Sequence, residues 1–165
     1  MKKQSIEIQS IRAHRRHKGK LSVESTFPIK DINDLSLAYT PGVAGPCRAI
    51  HSKKISAREL SSAKNTVAII SDGSAVLGLG NIGPEAALPV MEGKAALMKR
   101  FAGINGFPIV LNTTDTDLIV AAITAIAPTF GAINLEDISA PRCFEIEERL
   151  TRTLSIPVMH DDQQG

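Results

Sequence analysis

The sequence predicts an α/β fold in which a mainly parallel sheet lies between two layers of helices. Short apolar runs alternate with longer helical segments from Thr66 onward, and this alternation is typical of parallel strands joined by helices. Acidic residues follow most of these runs, at the edge where open α/β sheets bind ligands. At 165 residues, with 43% hydrophobic and 22% charged residues, the chain is long enough for one domain with its own core.

A helical and loop segment precedes this pattern. Residues 4–17 predict a basic helix whose apolar content is Ile6, Ile8 and Ile11. The prolines and glycines between positions 20 and 45 predict mostly loop. Two short helices are predicted next, at 46–53 and 56–63.

The regular part of the chain supplies the sheet and its covering helices. Apolar runs predict strands, and the stretches between them predict helices with right-handed crossover connections. The predicted strands are 67–70, 76–79, 108–111, 132–135 and 156–159, and the predicted helices are 85–102, 116–127 and 141–154.

Charge and composition exclude several classes of protein. The formal net charge of +2 is too small to indicate a nucleic-acid partner, although residues 1–20 are basic. That basic start indicates a solvated helix face or a loose arm, with a nucleic-acid arm or an organelle presequence as the alternatives. No apolar stretch is long enough for a membrane span or a signal peptide. Cys47 and Cys143 lack metal-ligand spacing and indicate reduced thiols in the cytoplasm.

Paired acids at two strand ends predict a metal site. Glu136 and Asp137 follow one apolar run, while Asp161 and Asp162 follow the last one. Carboxylates that converge at one sheet edge repel each other unless a cation holds them. Helix capping explains Asp115 well, but it explains two successive pairs of acids poorly. We therefore predict a site for Mg²⁺ or Mn²⁺ formed by Glu136, Asp137 and Asp162.

A glycine motif allows two interpretations. Residues 78–83 match G-x-G-x-x-G, the fingerprint of dinucleotide-binding domains. No acidic residue follows at the expected distance, however. The favoured interpretation is a tight glycine turn that lets the backbone approach a neighbour or a small anion, and a nucleotide site is the alternative.

Lys94 and Tyr39 are candidate acid–base groups. If a helix begins with Pro89 as its first residue, Lys94 lies on the same face as Met91 and Met98 and near the positive end of the helix dipole. Burial and the dipole would lower the pKa of Lys94 and make it a usable base, unless the side chain extends to the surface. Tyr39, the only tyrosine, precedes a Pro-Gly turn and can donate a proton or simply pack.

Five separated segments together resemble the malic enzymes of the bacterial type. They occur in the family's order along nearly the whole chain. The segments are 36–44 (SLAYTPGVA), 71–83 (SDGSAVLGLGNIG), 91–95 (MEGKA), 134–138 (NLEDI) and 160–165 (HDDQQG).

The resemblance implies a set of functional residues. Tyr39 and Lys94 correspond to the catalytic tyrosine and lysine, and Asp161 is expected beside Lys94. Glu136, Asp137 and Asp162 correspond to the metal ligands. The implied reaction converts L-malate to pyruvate and CO₂ by way of oxaloacetate, with Mn²⁺ or Mg²⁺ and with NAD or NADP as cofactors.

The resemblance also implies an organisation. A basic helical segment is expected at 1–25 and the malic enzyme amino-terminal domain at 26–165. The NAD-binding Rossmann domain is expected beyond Gly165, absent from this chain, so hydride transfer is not expected of residues 1–165 alone. A cytoplasmic homodimer is expected, with no nucleic-acid or membrane partner. The alternative is a non-catalytic module that keeps the fold and the oligomer surface. Position 164 is Gln in this chain, whereas the family more often has His there.

Overall fold

The computed structural model describes residues 5–161 of the chain. These residues fall into two compact units. One comprises Ser22–Lys64, and the other comprises the chain up to Leu21 together with Asn65 onward. In the described range, no helix combines the length and apolar character that crossing a membrane requires.

The Ser22–Lys64 unit is helical. Its helices are α2 (Ile32–Ala38), α3 (Ala44–His51) and α4 (Ala57–Leu60). The prediction of mostly loop for 20–45 is wrong at α2, because the Asp31 side chain accepts hydrogen bonds from the first-turn amides and caps a helix there. After α2 the chain turns sharply, and Gly42 donates its N–H to Ser36 O at 2.8 Å. A Cβ at Gly42 would lie 2.5 Å from that oxygen, so only glycine fits this turn.

The larger unit holds the parallel sheet, which confirms the predicted fold class. Its strands lie in the order β2-β1-β3-β4, and all pairs are parallel. The strands are β1 (Thr66–Ser71), β2 (Asn105–Val110), β3 (Ala132–Leu135) and β4 (Val158–His160). The helices are α1 (Ile6–His17), α5 (Pro84–Ala102), α6 (Thr116–Ile126) and α7 (Arg142–Thr153).

Alternating side chains of the central strand pack on two different helix layers. Ala68 and Ile70 of β1 join a buried cluster with side chains of α6 and α7. Ile69, between them in the sequence, packs against Met91 and Ala95 of α5. Because successive residues of a strand point to opposite faces, α5 covers one face and α6 with α7 the other. This is the predicted three-layer arrangement.

Two glycines allow backbone segments to approach closely. Gly106 in β2 lies under α5, where an added Cβ would come within 2.7 Å of Ala95 Cα. Gly73 follows β1 with a φ of +70°, and an added Cβ would lie 2.2 Å from Gly83 O. The Gly73 carbonyl accepts hydrogen bonds from the amides of Ile82 and Gly83. The end of the glycine motif is therefore fixed against the end of β1.

One predicted strand is wrong. Residues 76–79 do not join the sheet. Leu77–Leu79 form a 3₁₀ turn, and Val76 makes only an isolated bridge with Gly80. The apolar run is explained by Val76, which is fully buried. Leu77, Gly80 and Gly83 have positive φ, so the segment folds back on itself instead of extending as a strand.

The sheet topology brings strand ends together. The chain passes from β1 to β2 on one side and then to β3 on the other, so the order of strands reverses between β1 and β3. Ligands in open α/β sheets bind beyond the carboxyl ends of strands at such a reversal. Asp72 follows β1 there, Glu136 follows β3, and Asp161 follows β4.

Candidate active site

Lys94 lies in the middle of α5, on the helix face that packs toward the sheet. Its neighbours Met91 and Ala95 are fully buried, while the Lys94 side chain remains 27% exposed. The helix begins at Pro84, and Pro89 lies inside it. The premise that Pro89 begins the helix is therefore wrong. Lys94 is too far from the N-terminus for the helix dipole to act on it.

Two carboxylates hold the Lys94 ammonium. Its Nζ lies 2.6 Å from Glu136 Oε1 and 2.7 Å from Asp161 Oδ2. The Glu136 side chain is only 8% exposed, and that of Asp161 is 43% exposed. The expected contact between Lys94 and Asp161 is present. Helix α5 and the ends of β3 and β4 therefore converge on one charged cluster.

The pKa of Lys94 shifts in the direction opposite to the prediction. Burial lowers the pKa, as anticipated, but the hydrogen bonds to Asp161 and Glu136 and the charges of both carboxylates outweigh it. The pKa of Lys94 therefore lies above its ordinary value. Burial and a helix dipole predict a lowered pKa for Lys94, but the two carboxylates within hydrogen-bond distance determine the direction of the shift.

Glu136 is a buried carboxylate under competing influences. Burial raises its pKa, the Lys94 ammonium lowers it, and the charges of Asp161 and Asp137 raise it again. The net result is a pKa above the ordinary value. Its backbone is fixed by a 2.8 Å hydrogen bond from Glu136 N–H to Ile70 O of the adjacent strand β1.

Asp137 turns the chain out of the sheet. It is 6% exposed and has a φ of 53°, a left-handed conformation that Asp tolerates better than most residues. The Asp137 carbonyl accepts a 3.0 Å hydrogen bond from Ala75 N–H. Two successive carboxylates, Glu136 and Asp137, are thereby kept buried at the carboxyl edge of the sheet.

These two side chains fit part of a site for a hard divalent cation. Carboxylate oxygens are the ligands that Mg²⁺ and Mn²⁺ prefer, and buried carboxylates gain most from a neighbouring positive charge. Within residues 5–161, no group of three or more His, Cys, Asp or Glu side chains is arranged to hold a metal. Asp162, the predicted third ligand, lies outside the described residues.

Tyr39 belongs to the Ser22–Lys64 unit. It ends helix α2, where its N–H donates to Leu35 O at 2.9 Å. The residue is 68% exposed, so its ring does not serve as a core side chain in that unit. The assignment of Tyr39 as the catalytic tyrosine stays a prediction.

Arg142, the first residue of α7, is a residue that the sequence analysis missed. Its guanidinium lies 2.8 Å from the fully buried carboxylate of Asp72 and donates to the hydroxyls of Ser74 and Ser139. A cation is unfavourable at the N-terminus of a helix. An Arg at the start of a predicted helix was the sequence signal for this contact, because its charge there calls for an anionic partner.

Asp115 caps α6 as expected, since its side chain accepts a 2.9 Å hydrogen bond from Leu118 N–H.

Comparison with known proteins identifies the family. Residues 18–151 match the family model described as malic enzyme, N-terminal domain. The bifunctional malic/malolactic enzyme of Bacillus subtilis is 54% identical over 161 residues, which are 98% of this chain and 39% of that enzyme. The NAD-dependent malic enzyme of Geobacillus stearothermophilus is 60% identical over 147 residues, covering 89% of this chain and 31% of that enzyme.

Solved structures show the same fold. The malic enzyme of Pyrococcus horikoshii superposes with a TM-score of 0.93 at 48% identity, over 96% of this chain and 37% of that one. The NAD-dependent malic enzyme of Thermotoga maritima superposes with a TM-score of 0.89 at 50% identity, over 93% of this chain and 41% of that one. The chain thus spans well under half the length of these relatives. On sequence and fold together, it belongs to the malic enzyme N-terminal domain family.

Proposed function

We propose that the protein carrying this chain is an NAD- or NADP-dependent malic enzyme, which converts L-malate to pyruvate and CO₂. Residues 26–165 would form the domain that binds the metal and holds the catalytic side chains. The observation that carries the proposal is the cluster in which the Lys94 ammonium lies 2.6 Å from Glu136 and 2.7 Å from Asp161. The cluster lies at the carboxyl edge of a parallel sheet, where α/β enzymes bind their ligands.

Glu136 and Asp137 would hold a divalent metal together with Asp162. Their burial supports this role, since each is 6% exposed and a buried carboxylate pair calls for a positive partner. When bound, Mn²⁺ or Mg²⁺ supplies Lewis-acid polarisation of malate and a positive charge that favours a neutral Lys94.

Lys94 would accept the proton of the malate C2 hydroxyl. A lysine does this only in its neutral form, and in the structure two carboxylates stabilise the ammonium. Asp161 lies 2.7 Å from Lys94 Nζ and is the more exposed of its two partners, so it can orient Lys94 while the cluster keeps access to solvent. We therefore propose Asp161 as the residue that tunes Lys94.

Tyr39 would donate a proton to C3 after CO₂ leaves. Its position two residues before Pro41, at the entry to the Pro41-Gly42 turn, supports this role, because only glycine fits at position 42 and the loop is held in one shape. We propose malate, oxaloacetate and pyruvate as the small-molecule ligands and a cytoplasmic homodimer as the working form. We assign no residue of this chain to nicotinamide binding, because the glycine motif is used to anchor α5 against Gly73.

Replacement of Lys94 tests the proposal. In the protein that carries this chain, Lys94→Ala is expected to lower kcat for malate-dependent NAD(P)H formation by at least about a hundredfold. Lys99→Ala is the matched control, since Lys99 lies on the same helix and its ammonium donates to the exposed Asn105 side chain at 2.7 Å. Equal loss in both variants, or near-normal turnover in Lys94→Ala, would refute the role of Lys94.

A further inference from the structure

Arg142 joins three loops at the carboxyl edge of the sheet. Its NH1 donates to Thr114 O at 2.9 Å, in the loop after β2. Its NH2 lies 2.8 Å from Asp72 Oδ2, after β1, and 3.0 Å from Ser139 Oγ, after β3. One guanidinium thus contacts the segments that follow three neighbouring strands.

Ser74 completes the cluster. Its hydroxyl donates to Asp72 Oδ1 at 2.5 Å and accepts from Arg142 NH2 and from Ser139 N–H, both at 2.9 Å. A serine hydroxyl has one hydrogen and two lone pairs, so these three contacts use its whole capacity. The Asp72 side chain, which is 0% exposed, also accepts from Ser74 N–H at 3.0 Å.

These contacts enclose the turn that presents Glu136 and Asp137. Ala75, next to Ser74, donates its N–H to Asp137 O. Two residues beyond Asp137, Ser139 donates its N–H to Ser74 Oγ. The carbonyl of the left-handed Asp137 and the amide of Ser139 are therefore both held by contacts that depend on the position of Ser74.

We infer that Arg142 and Asp72 are positioning residues, which fix the turn of Glu136 and Asp137 in the conformation that binds the metal. The inference rests on the proposed function for the metal and extends it to two residues that do not touch the ligand. Arg142 cannot itself bind substrate through the NH2 group, because Asp72, Ser74 and Ser139 already surround that nitrogen. Partners that orient ligand side chains typically change metal affinity by tenfold or more when they are lost.

Amide hydrogen exchange measured by NMR tests the positioning directly, without any metal. Arg142→Lys keeps the charge but loses the planar fork of donors. Exchange is expected to become at least about tenfold faster at Ala75 and Ser139. The Ile133 amide, bonded to Pro157 O at 2.9 Å in the sheet, is the internal reference and should be unchanged. Arg152→Lys is the matched control, on the same helix with a side chain 76% exposed.

A second variant and a second readout separate the possible failures. Asp72→Asn keeps an acceptor for Ser74 and should give the same local pattern if Arg142→Lys does not fold. Titration with Mn²⁺ alone should show affinity about tenfold weaker in either variant. Unchanged exchange at Ala75 and Ser139 would overturn the inference, as would uniform acceleration that includes Ile133. Equal Mn²⁺ affinity in wild type and Glu136→Gln would instead contradict the proposed metal site.

Discussion

Glu136 Oε1 lies 2.6 Å from Lys94 Nζ, and this pair joins the end of strand β3 to the middle of helix α5. The Glu136 side chain is 8% exposed, so its charge is shielded from water and depends on neighbouring groups. A buried carboxylate that lost Lys94 would be left without its cation. The pair is therefore both a structural link between layers and the centre of the proposed chemistry.

The raised pKa of Glu136 gives stability a definite pH dependence. A group whose pKa is higher in the folded state contributes stability below its unfolded pKa, about 4.3 for Glu, and loses that contribution as the pH rises through the folded value. Burial is the largest cause of the upward shift in the pKa of Glu136. The stability of wild type minus that of Glu136→Gln should therefore fall as the pH is raised from about 4. Urea unfolding at a series of pH values measures this difference, and a difference that rises or stays constant would contradict the burial argument.

Gly73 and Gly80 form a pair of variants that tests the close approach of Gly73 to Gly83 at the end of β1. Both have positive φ, +70° and +74°, but an added Cβ meets Gly83 O at 2.2 Å only at Gly73 and meets nothing within 4 Å at Gly80. Gly80→Ala should cost about 1–3 kcal/mol from backbone strain alone, because its φ of 74° and ψ of −142° are adopted almost only by glycine. Gly73→Ala should cost about 1–3 kcal/mol more than that, because overpacking is added to the strain. Equal costs in urea unfolding would show that the Gly73 contact is not tight.

Most of the fold could be predicted from sequence because the strands are short apolar runs with clear helical segments between them. The run at 67–70 became β1, and the run at 132–135 became β3 with the predicted bounds. The prediction of a strand at 76–79 failed because one buried side chain, Val76, mimics the pattern of a strand. Positive φ angles at Leu77 and Gly80 fold the chain into a turn instead. Helix α2 was missed because its cap, Asp31, lies among residues that otherwise favour loop.

The candidate site was predictable only where residue type and position sufficed. Strand-end acids are visible in a sequence, so Glu136 and Asp137 could be found. The direction in which the pKa of Lys94 shifts could not be predicted, because it depends on the distances from Lys94 to Glu136 and Asp161, which only the fold determines. Arg142 was missed because its partners lie in three loops that are distant in sequence.

Decarboxylation of oxaloacetate provides a test that needs no nicotinamide. All the protein groups that we assign to this step lie within residues 1–165. With Mn²⁺, the chain is expected to form pyruvate from oxaloacetate slowly but faster than free Mn²⁺ does. Tyr39→Phe should reduce pyruvate formation, because the phenol hydroxyl is the proposed proton donor. If the chain, its Tyr39→Phe variant and metal alone give the same rate, the chain is better described as a non-catalytic module.

Calorimetric titration with Mn²⁺ tests whether the strand-end carboxylates beside Lys94 bind a metal. Wild type should bind Mn²⁺, and Glu136→Gln should bind it more than about tenfold more weakly, since amides are poorer ligands than carboxylates. Glu145→Gln is the control, because Glu145 is 55% exposed and pairs with Arg149 on α7. Weakened binding in Glu136→Gln alone is the predicted result. Equal binding in all three proteins would show that Glu136 is not a metal ligand.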